Sequence, residues 1–332
     1  MKIPTVQQLK EKILELLNRY FIITEQSCVI PLTCWGAFFG VGVISSIITH
    51  KIFFFFNFLY IGTALSLGIL MSQSLKKRYN SWARKITQIL IGFYMLFFMG
   101  ILSNQNMQIE GMFYYLIIGT FSGVVLHYFI AKVLGPIIFN RGWCGWACWT
   151  AMVLDILPWK NNQGRYQKYE AIRYAGFLLS FLVILLTFSL IDNHEFMKQH
   201  ELYWFILGNV VYYFLAIMLA YRFKDNRAFC KYLCPITVLM KITARYAWMK
   251  VEIASHKCTE CGLCEQNCPM DVKLLAYKKN GQRILSTECI MCSSCIDHCP
   301  KEAIRMTYKR DYGVDEFIQY KEIKDKEQIK SQ

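Results

Sequence analysis

Charge is scarce in this chain, and acidic charge most of all. Only 18% of its residues are Asp, Glu, Lys or Arg, and 23 acidic side chains stand against 37 basic ones. That scarcity, in 332 residues of which 55% are hydrophobic, argues against an ordinary soluble fold and points to a membrane protein. Other features are missing as well. No nucleotide-binding loop is present, and no combination of motifs marks a hydrolase. His127 is the only histidine well inside an apolar segment, so a bis-histidine haem has no second ligand, and a core histidine is the reading favoured over a quinone contact. The net charge of +14 would suggest nucleic acid on a soluble protein, but membrane chains collect Lys and Arg in cytoplasmic loops. Nucleic acid is not an expected partner.

Six apolar segments approach the roughly 20 residues that span a hydrocarbon core. They run over 29–48, 52–71, 86–103, 112–134, 172–191 and 202–223, and the first two are close enough to pair as a helical hairpin. Residues 1–27 read as an amphipathic arm with no cleavable signal expected, Thr5 and Gln8 standing at capping-box spacing. The arm carries Lys2, Lys10, Lys12 and Arg19, and the loop after the second span carries Lys76, Lys77, Arg78, Arg84 and Lys85. Arg141, Lys160, Arg165 and Lys168 follow the fourth span, and Arg222, Lys224, Arg227 and Lys231 the sixth. The opposite loops hold only Lys51, no basic residue over 104–111, and Lys198. The expectation is a multi-pass protein of the inner membrane with both termini cytoplasmic.

There are fourteen cysteines. Eight lie in two C-x2-C-x2-C-x3-C-P runs, CTECGLCEQNCP from Cys258 and CIMCSSCIDHCP from Cys289. This is the signature of a bacterial two-cluster ferredoxin, in which each run gives three ligands to one [4Fe-4S] cluster and its fourth to the other. Cys258, Cys261, Cys264 and Cys299 are the expected ligands of the first cluster, and Cys289, Cys292, Cys295 and Cys268 those of the second. Between the runs, Asn280-Gly281 predicts a hairpin turn flanked by two strand-like arms. Thiolates of this kind imply a reducing compartment.

Two further pairs have three residues between their cysteines. RGWCGWACW at 141–149 aligns with RAFCKYLCP at 227–235, with arginine, aromatic, cysteine, aromatic and cysteine in register. An apolar helix-like run follows each, as expected of an internal duplication. On a helix the i and i+4 spacing places both thiols of a pair on one face, and two such faces offer four soft ligands. Cys144, Cys148, Cys230 and Cys234 are therefore candidates for a third iron–sulfur or other soft-metal site. Redox-active dithiols and buried structural thiols are the competing readings. Trp143, Trp146, Phe229 and Tyr232 would screen such a site from water. Cys28 and Cys34, at the inner end of the first span, are weaker candidates to join it, and Phe53 to Phe56 read as a lipid-facing aromatic run.

Taken together, 85–310 resembles the membrane-bound polyferredoxin family, with two C-x3-C motifs after membrane spans, the second written CKYLCP, and then a two-cluster ferredoxin. That family includes the quinol-oxidising membrane subunit of periplasmic nitrate reduction and the membrane half of the nitrous-oxide reductase regulatory protein. A relative of the latter assists cytochrome oxidase assembly by reducing copper. The family writes C-x3-C-P twice, and this chain departs at Trp149, where the family has Pro. No flavin-attachment domain is seen. The fold expected is an all-α membrane bundle of about six helices with an α+β ferredoxin module. Its parts are an arm (1–27), a transmembrane bundle (28–250), a two-cluster module (251–310) and a charged tail (311–332).

The function expected is electron transfer between cytoplasmic-face clusters and a membrane carrier, a quinone being the foremost, or a partner complex. The resemblance implies a quinol/quinone oxidoreductase subunit, with other redox subunits or a soluble electron carrier as partners. A maturation factor that reduces a metal or partner site, and a regulatory redox sensor, are the alternatives.

Overall fold

The computed structural model describes residues 25–75, 80–120, 122–159, 164–190 and 199–311. Most of the amphipathic arm, most of the charged tail, and Lys76, Lys77, Arg78, Lys160 and Lys198 of the basic and outer loops lie outside them. Two compact units divide at Ile91 and Gly92. In the first, α1 (Glu25–Thr49) and α2 (Ile52–Ser74) form the expected hairpin, reversed at His50 in left-handed conformation (φ 55°) and at Lys51. Small residues let the helices close: a Cβ on Gly62 would collide with that of Phe38. The Trp35 indole N–H donates to Thr63 Oγ1 at 3.1 Å. Val29, Leu32, Ile44 and Ile47 leave an apolar outer face of the kind only lipid satisfies.

Among the described residues, five helices are long and apolar enough to cross a membrane: Ser27–Thr49, Ile52–Ser74, Asn80–Leu102, Lys168–Leu190 and Glu201–Phe223. Each has 23 residues, about 34 Å of helix. Asn80–Leu102 is α3, its last nine residues wound as a π-helix. The chain is thus a multi-pass membrane protein. The segment at 112–134, expected as a sixth continuous span, is broken. Helix α4 (Ile109–Ile117) stops at Gly119, which is left-handed at φ 68°. The chain turns, Ser122 caps the next helix, and α5 runs over Gly123–Phe139 with a π segment at Phe129–Leu134. The Tyr128 hydroxyl donates to the Met107 carbonyl at 3.4 Å, so α5 folds back alongside the entry to α4 instead of continuing it. A polar reason accompanies the fold-back: Glu110 Oε1 accepts from Ser180 and Tyr212, and the Asn106 N–H donates to Glu201, partners that lipid cannot supply.

Each of the last two spans is tied to the C-terminal half. After α5 come two short helices, α6 (Gly142–Trp146) and α7 (Trp149–Leu154). The spans α8 (Lys168–Leu190) and α9 (Glu201–Phe223) follow, and then the matching short pair α10 (Ala228–Tyr232) and α11 (Ile236–Ala244). The remaining residues form a small module closed by β1 (Met249–Ile253) and β2 (Ile304–Tyr308), antiparallel with Ile253 opposite Ile304. Between its strands lie α12 (Leu263–Gln266), α13 (Leu274–Lys279) and α14 (Ser294–Asp297).

The turn expected at Asn280-Gly281 is present, with Gly281 at φ 65°, but it does not join two strands. Its leading arm is α13, because Leu274-Leu275-Ala276 and Lys278-Lys279 are good helix formers. The strand partners are drawn from the ends of the module instead.

Candidate functional site

The small module contains two cavities. Cys268, Cys289, Cys292 and Cys295 line one, with Val251, Ile284 and Met291. Cys258, Cys261, Cys264 and Cys299 line the other, with Leu263 and Ile304. The two runs wind alike. Glu260 and Gly262 in the first, and Met291 and Ser293 in the second, take left-handed φ of 53–77°. Asp271 and Glu302, three residues beyond Cys268 and Cys299, are left-handed too, at φ 52° and 48°. Alternation of this kind turns successive backbone N–H groups inward and makes a nest for an anion. The N–H of Val272 reaches Cys268 Sγ at 3.4 Å, and that of Ala303 reaches Cys299 Sγ at 3.3 Å. Burial first of all pushes the thiols up, Cys264 to about 11 and Cys268 and Cys289 to about 12. Thiolates form here only when positive charge or a metal compensates.

The two C-x3-C loops share one geometry. In each, the arginine caps a five-residue helix, Arg141 for α6 and Arg227 for α10. In the first loop, Ala147 and Cys148 both donate their N–H to the Trp143 carbonyl, at 2.9 and 3.1 Å. Leu233 and Cys234 donate likewise to Phe229, both at 2.9 Å. The expected single helical face is modified: the first cysteine of each pair lies on the helix, the second two residues past its end. The missing proline at Trp149 leaves this turn intact. Trp149 is buried, its indole donating to Asn209 Oδ1 at 3.1 Å and its carbonyl accepting from the Tyr213 hydroxyl at 3.2 Å.

Both pairs meet in one buried place. Arg227 donates to the Cys144 carbonyl at 3.2 Å and lies 3.9 Å from Cys230 Sγ, while Cys144 Sγ is 3.6 Å from Met240 Sδ. Burial, followed by the neighbouring thiols, raises Cys148 and Cys234, and burial, partly offset by Arg227, raises Cys230 to about 11. Trp143, Phe229 and Tyr232 are buried and Trp146 half-buried. The Lys132 ammonium sits 4.0 Å from the Trp143 ring centre, and the His127 ring packs edge-on against the same indole. Buried polar atoms stand beside the thiols without hydrogen-bond partners: the donors Arg141 Nε and Nη2 and Trp143 Nε1, and the ring nitrogen His127 Nε2. Among the described residues, no three His, Cys, Asp or Glu side chains are close enough to hold a single metal ion. Four thiols with orphaned N–H groups around them fit a larger, acceptor-rich, anionic group. Cys28 and Cys34 lie on α1, in the other unit.

The loops rest directly on the small module. A Cβ on Gly145 would collide with the Ile290 carbonyl, and Trp146 Nε1 donates to the Met291 carbonyl at 2.9 Å. Lys231 pairs with Asp225 at 2.6 Å and with Asp271. Glu288, next to Cys289, accepts from Arg141 (2.6 Å), Arg173 (2.8 Å) and Lys241 (2.8 Å) and forms an ion pair with Arg165 at 3.1 Å. Burial opposes the charge of Glu288, and the three guanidinium groups with Lys241 outweigh it, holding the carboxyl well below its usual range. These contacts all fall around the Cys268, Cys289 and Cys292 side of the module. Cys261, in the other cavity, is exposed.

Sequence reasoning missed Glu288 and a second polar group inside the bundle. Glu110 Oε1 accepts from Tyr212 at 2.5 Å and Ser180 at 2.8 Å, and Glu201 accepts from the Tyr115 hydroxyl and, at 3.4 Å, from the Asn106 N–H. Glu110 falls in the 104–111 stretch that the sequence places in an outer loop. Its own signal was available: a carboxylate within an apolar stretch is rare and needs a partner.

The fold and the paired cysteine loops define a class: a membrane-spanning iron–sulfur protein of polyferredoxin-like type. The family described as a 4Fe-4S dicluster domain matches residues 250–300, and that described as a 4Fe-4S binding domain matches twice, over 121–165 and 209–253. Each of the latter encloses one C-x3-C pair, so one domain description recognises both repeats. Electron transfer is the function such domains carry. Among curated relatives, uncharacterized protein MJ0749 of Methanocaldococcus jannaschii is 27% identical over 45% of this chain and 61% of its own length. The putative electron transport protein YccM of Escherichia coli is 20% identical over 42% of this chain and 44% of its own. The methylamine utilization ferredoxin-type protein MauN of Methylorubrum extorquens is 27% identical over 40% and 48%. The chain thus spans about half the length of these relatives. No solved structure matches it.

Proposed function

We propose that the chain carries electrons between a redox partner at the exposed cysteine cavity of the module and a lipid-soluble carrier, a quinone, in the membrane. Residues 251–310 act as the two-cluster module on the bundle of 28–250. Cys258, Cys261, Cys264 and Cys299 would hold one [4Fe-4S] cluster, and Cys289, Cys292, Cys295 and Cys268 a second. Cys144, Cys148, Cys230 and Cys234 would hold a third. Bound clusters of this type supply one-electron chemistry at low potential.

The observation that carries the reading is the convergence of both C-x3-C loops on one side of the module. Gly145 and Trp146 touch the backbone of Ile290 and Met291, and Lys231 pairs with Asp271. These contacts support a series of three thiol groups, running from the exposed Cys261 to the C-x3-C pairs. The residues of the chain do the rest. Trp143, Phe229 and Tyr232 exclude water, and Arg227 holds the two C-x3-C loops together. Trp149 fastens the first loop to α9. The inner membrane, with both termini cytoplasmic, is the location that suits reduced thiolates and the basic loops.

The test is anaerobic purification followed by reduction of the chain with a low-potential donor and addition of a quinone. Reoxidation by quinone supports the proposal. Clusters that stay reduced in the presence of quinone reject it.

A further inference from the structure

We propose that Glu288 and the cations around it form a junction that sets the reduction potentials of the redox sites on either side. The inference deepens the function proposed above and rests on that reading for its cofactors. Four cations, Arg141, Arg165, Arg173 and Lys241, surround two carboxylates, Glu288 and, on Arg165 at 2.8 Å, Glu170. Positive charge is left in excess in a place where Arg141 and Arg173 have no solvent contact. Burying unpaired charge is costly unless something opposite in sign lies close by. Arg141 Nε and Nη2 and Arg173 Nε have no hydrogen-bond partner, so the guanidinium groups are under-used by the protein itself. A thiolate-bound iron–sulfur cluster is anionic and gains negative charge on reduction, which makes it the fitting complement.

The duplication explains why Glu288 is needed. Arg227 of the second repeat pairs with Asp155 of the first, through Nε–Oδ1 at 2.8 Å and Nη2–Oδ2 at 2.7 Å. Asp155 stands seven positions after Cys148; the position seven after Cys234 is Lys241. The second repeat therefore presents a cation to Arg141 where the first presents a carboxylate to Arg227. The module fills the gap with Glu288, whose neighbour Cys289 lines the nearer cavity. One carboxylate thus joins the first C-x3-C loop, the second repeat, α8 and the module. Its charge acts on whichever anionic centre lies on either side.

The experiment compares Glu288→Gln and Lys241→Gln in the full chain, purified anaerobically, with potentials read by redox titration under paramagnetic resonance. A Cys258→Ser chain identifies the signal of the outer cluster. Glu288→Gln removes a negative charge and is expected to move the potential of the Cys289-side cluster upward. Lys241→Gln removes a positive charge and is expected to move it downward, while the Cys258-side cluster moves least. Lys241 is partly exposed, so its variant answers the question even where loss of Glu288 prevents folding. Shifts of the same sign, no shift, or an equal shift at the outer cluster would overturn the proposal. Iron analysis keeps the two ideas apart. A chain with about eight iron lacks a third cluster, yet its Cys289-side potential still tests Glu288.

Discussion

Arg141 and Arg227 occupy the same place in two copies of one loop, and their partners differ. Arg227 makes a two-pronged pair with Asp155, the geometry a guanidinium supports and an ammonium does not. Arg227→Lys is therefore expected to loosen the C-x3-C site while the iron held by the small module remains. Breaking such a buried pair costs about 3–5 kcal/mol when one charge is left alone. The lysine variant should lose less than Arg227→Met, as thermal unfolding will measure. At this scale the sequence was legible where chemistry has a fixed spacing. The spacing of the eight module cysteines divides them into two sets, and each set lines its own cavity; what they and the C-x3-C cysteines bind stays with the proposal. Glu288 was not legible, because no local pattern announces that a single carboxylate will meet four cations from three distant segments. Glu110 was half legible, since its apolar surroundings are a signal but its partners Ser180 and Tyr212 are not.

Among the elements, the most consequential is the turn of α6, where Gly145 allows backbone to touch backbone at Ile290. Gly145→Ala is expected to push the loop off the module while leaving the cysteines of both in place. A misplacement of this size can slow a geometry-dependent step by about 10²-fold. Stopped-flow reoxidation by quinone would show that loss with cluster content unchanged. Gly36→Ala, which meets open space, should alter neither. The duplicated elements also predict non-additivity. Removing Cys144 and Cys148 should cost as much activity as removing all four C-x3-C cysteines, since half a ligand set holds no cluster. Elements were read well from long apolar runs and less well where short segments compete. The leading arm of the Asn280-Gly281 turn became α13 because its own helix propensity won. The 112–134 segment broke at the left-handed Gly119, and hydropathy, which counts apolar residues, does not register such a turn or the partners Glu110 finds in Ser180 and Tyr212.

Among the described residues, the membrane part comprises five long helices and one folded-back segment, and the module is seated on the duplicated loops. The folding-back changes where topology is to be probed. Asn106 is buried, so an insertion there would disturb the bundle, whereas Gly119 and Thr120 are exposed at the turn between α4 and α5. A reporter at Gly119 is expected outside and one fused after Gln332 in the cytoplasm. The reverse arrangement would put the clusters in the wrong compartment.

The central claim is that three thiol groups, not two, hold clusters. It is tested most directly by iron and acid-labile sulfide analysis of the anaerobic protein beside a chain with serine at Cys144, Cys148, Cys230 and Cys234. The account predicts about twelve iron per chain in the first and about eight in the second. Equal values near eight in both would contradict it and leave the paired loops as buried thiols.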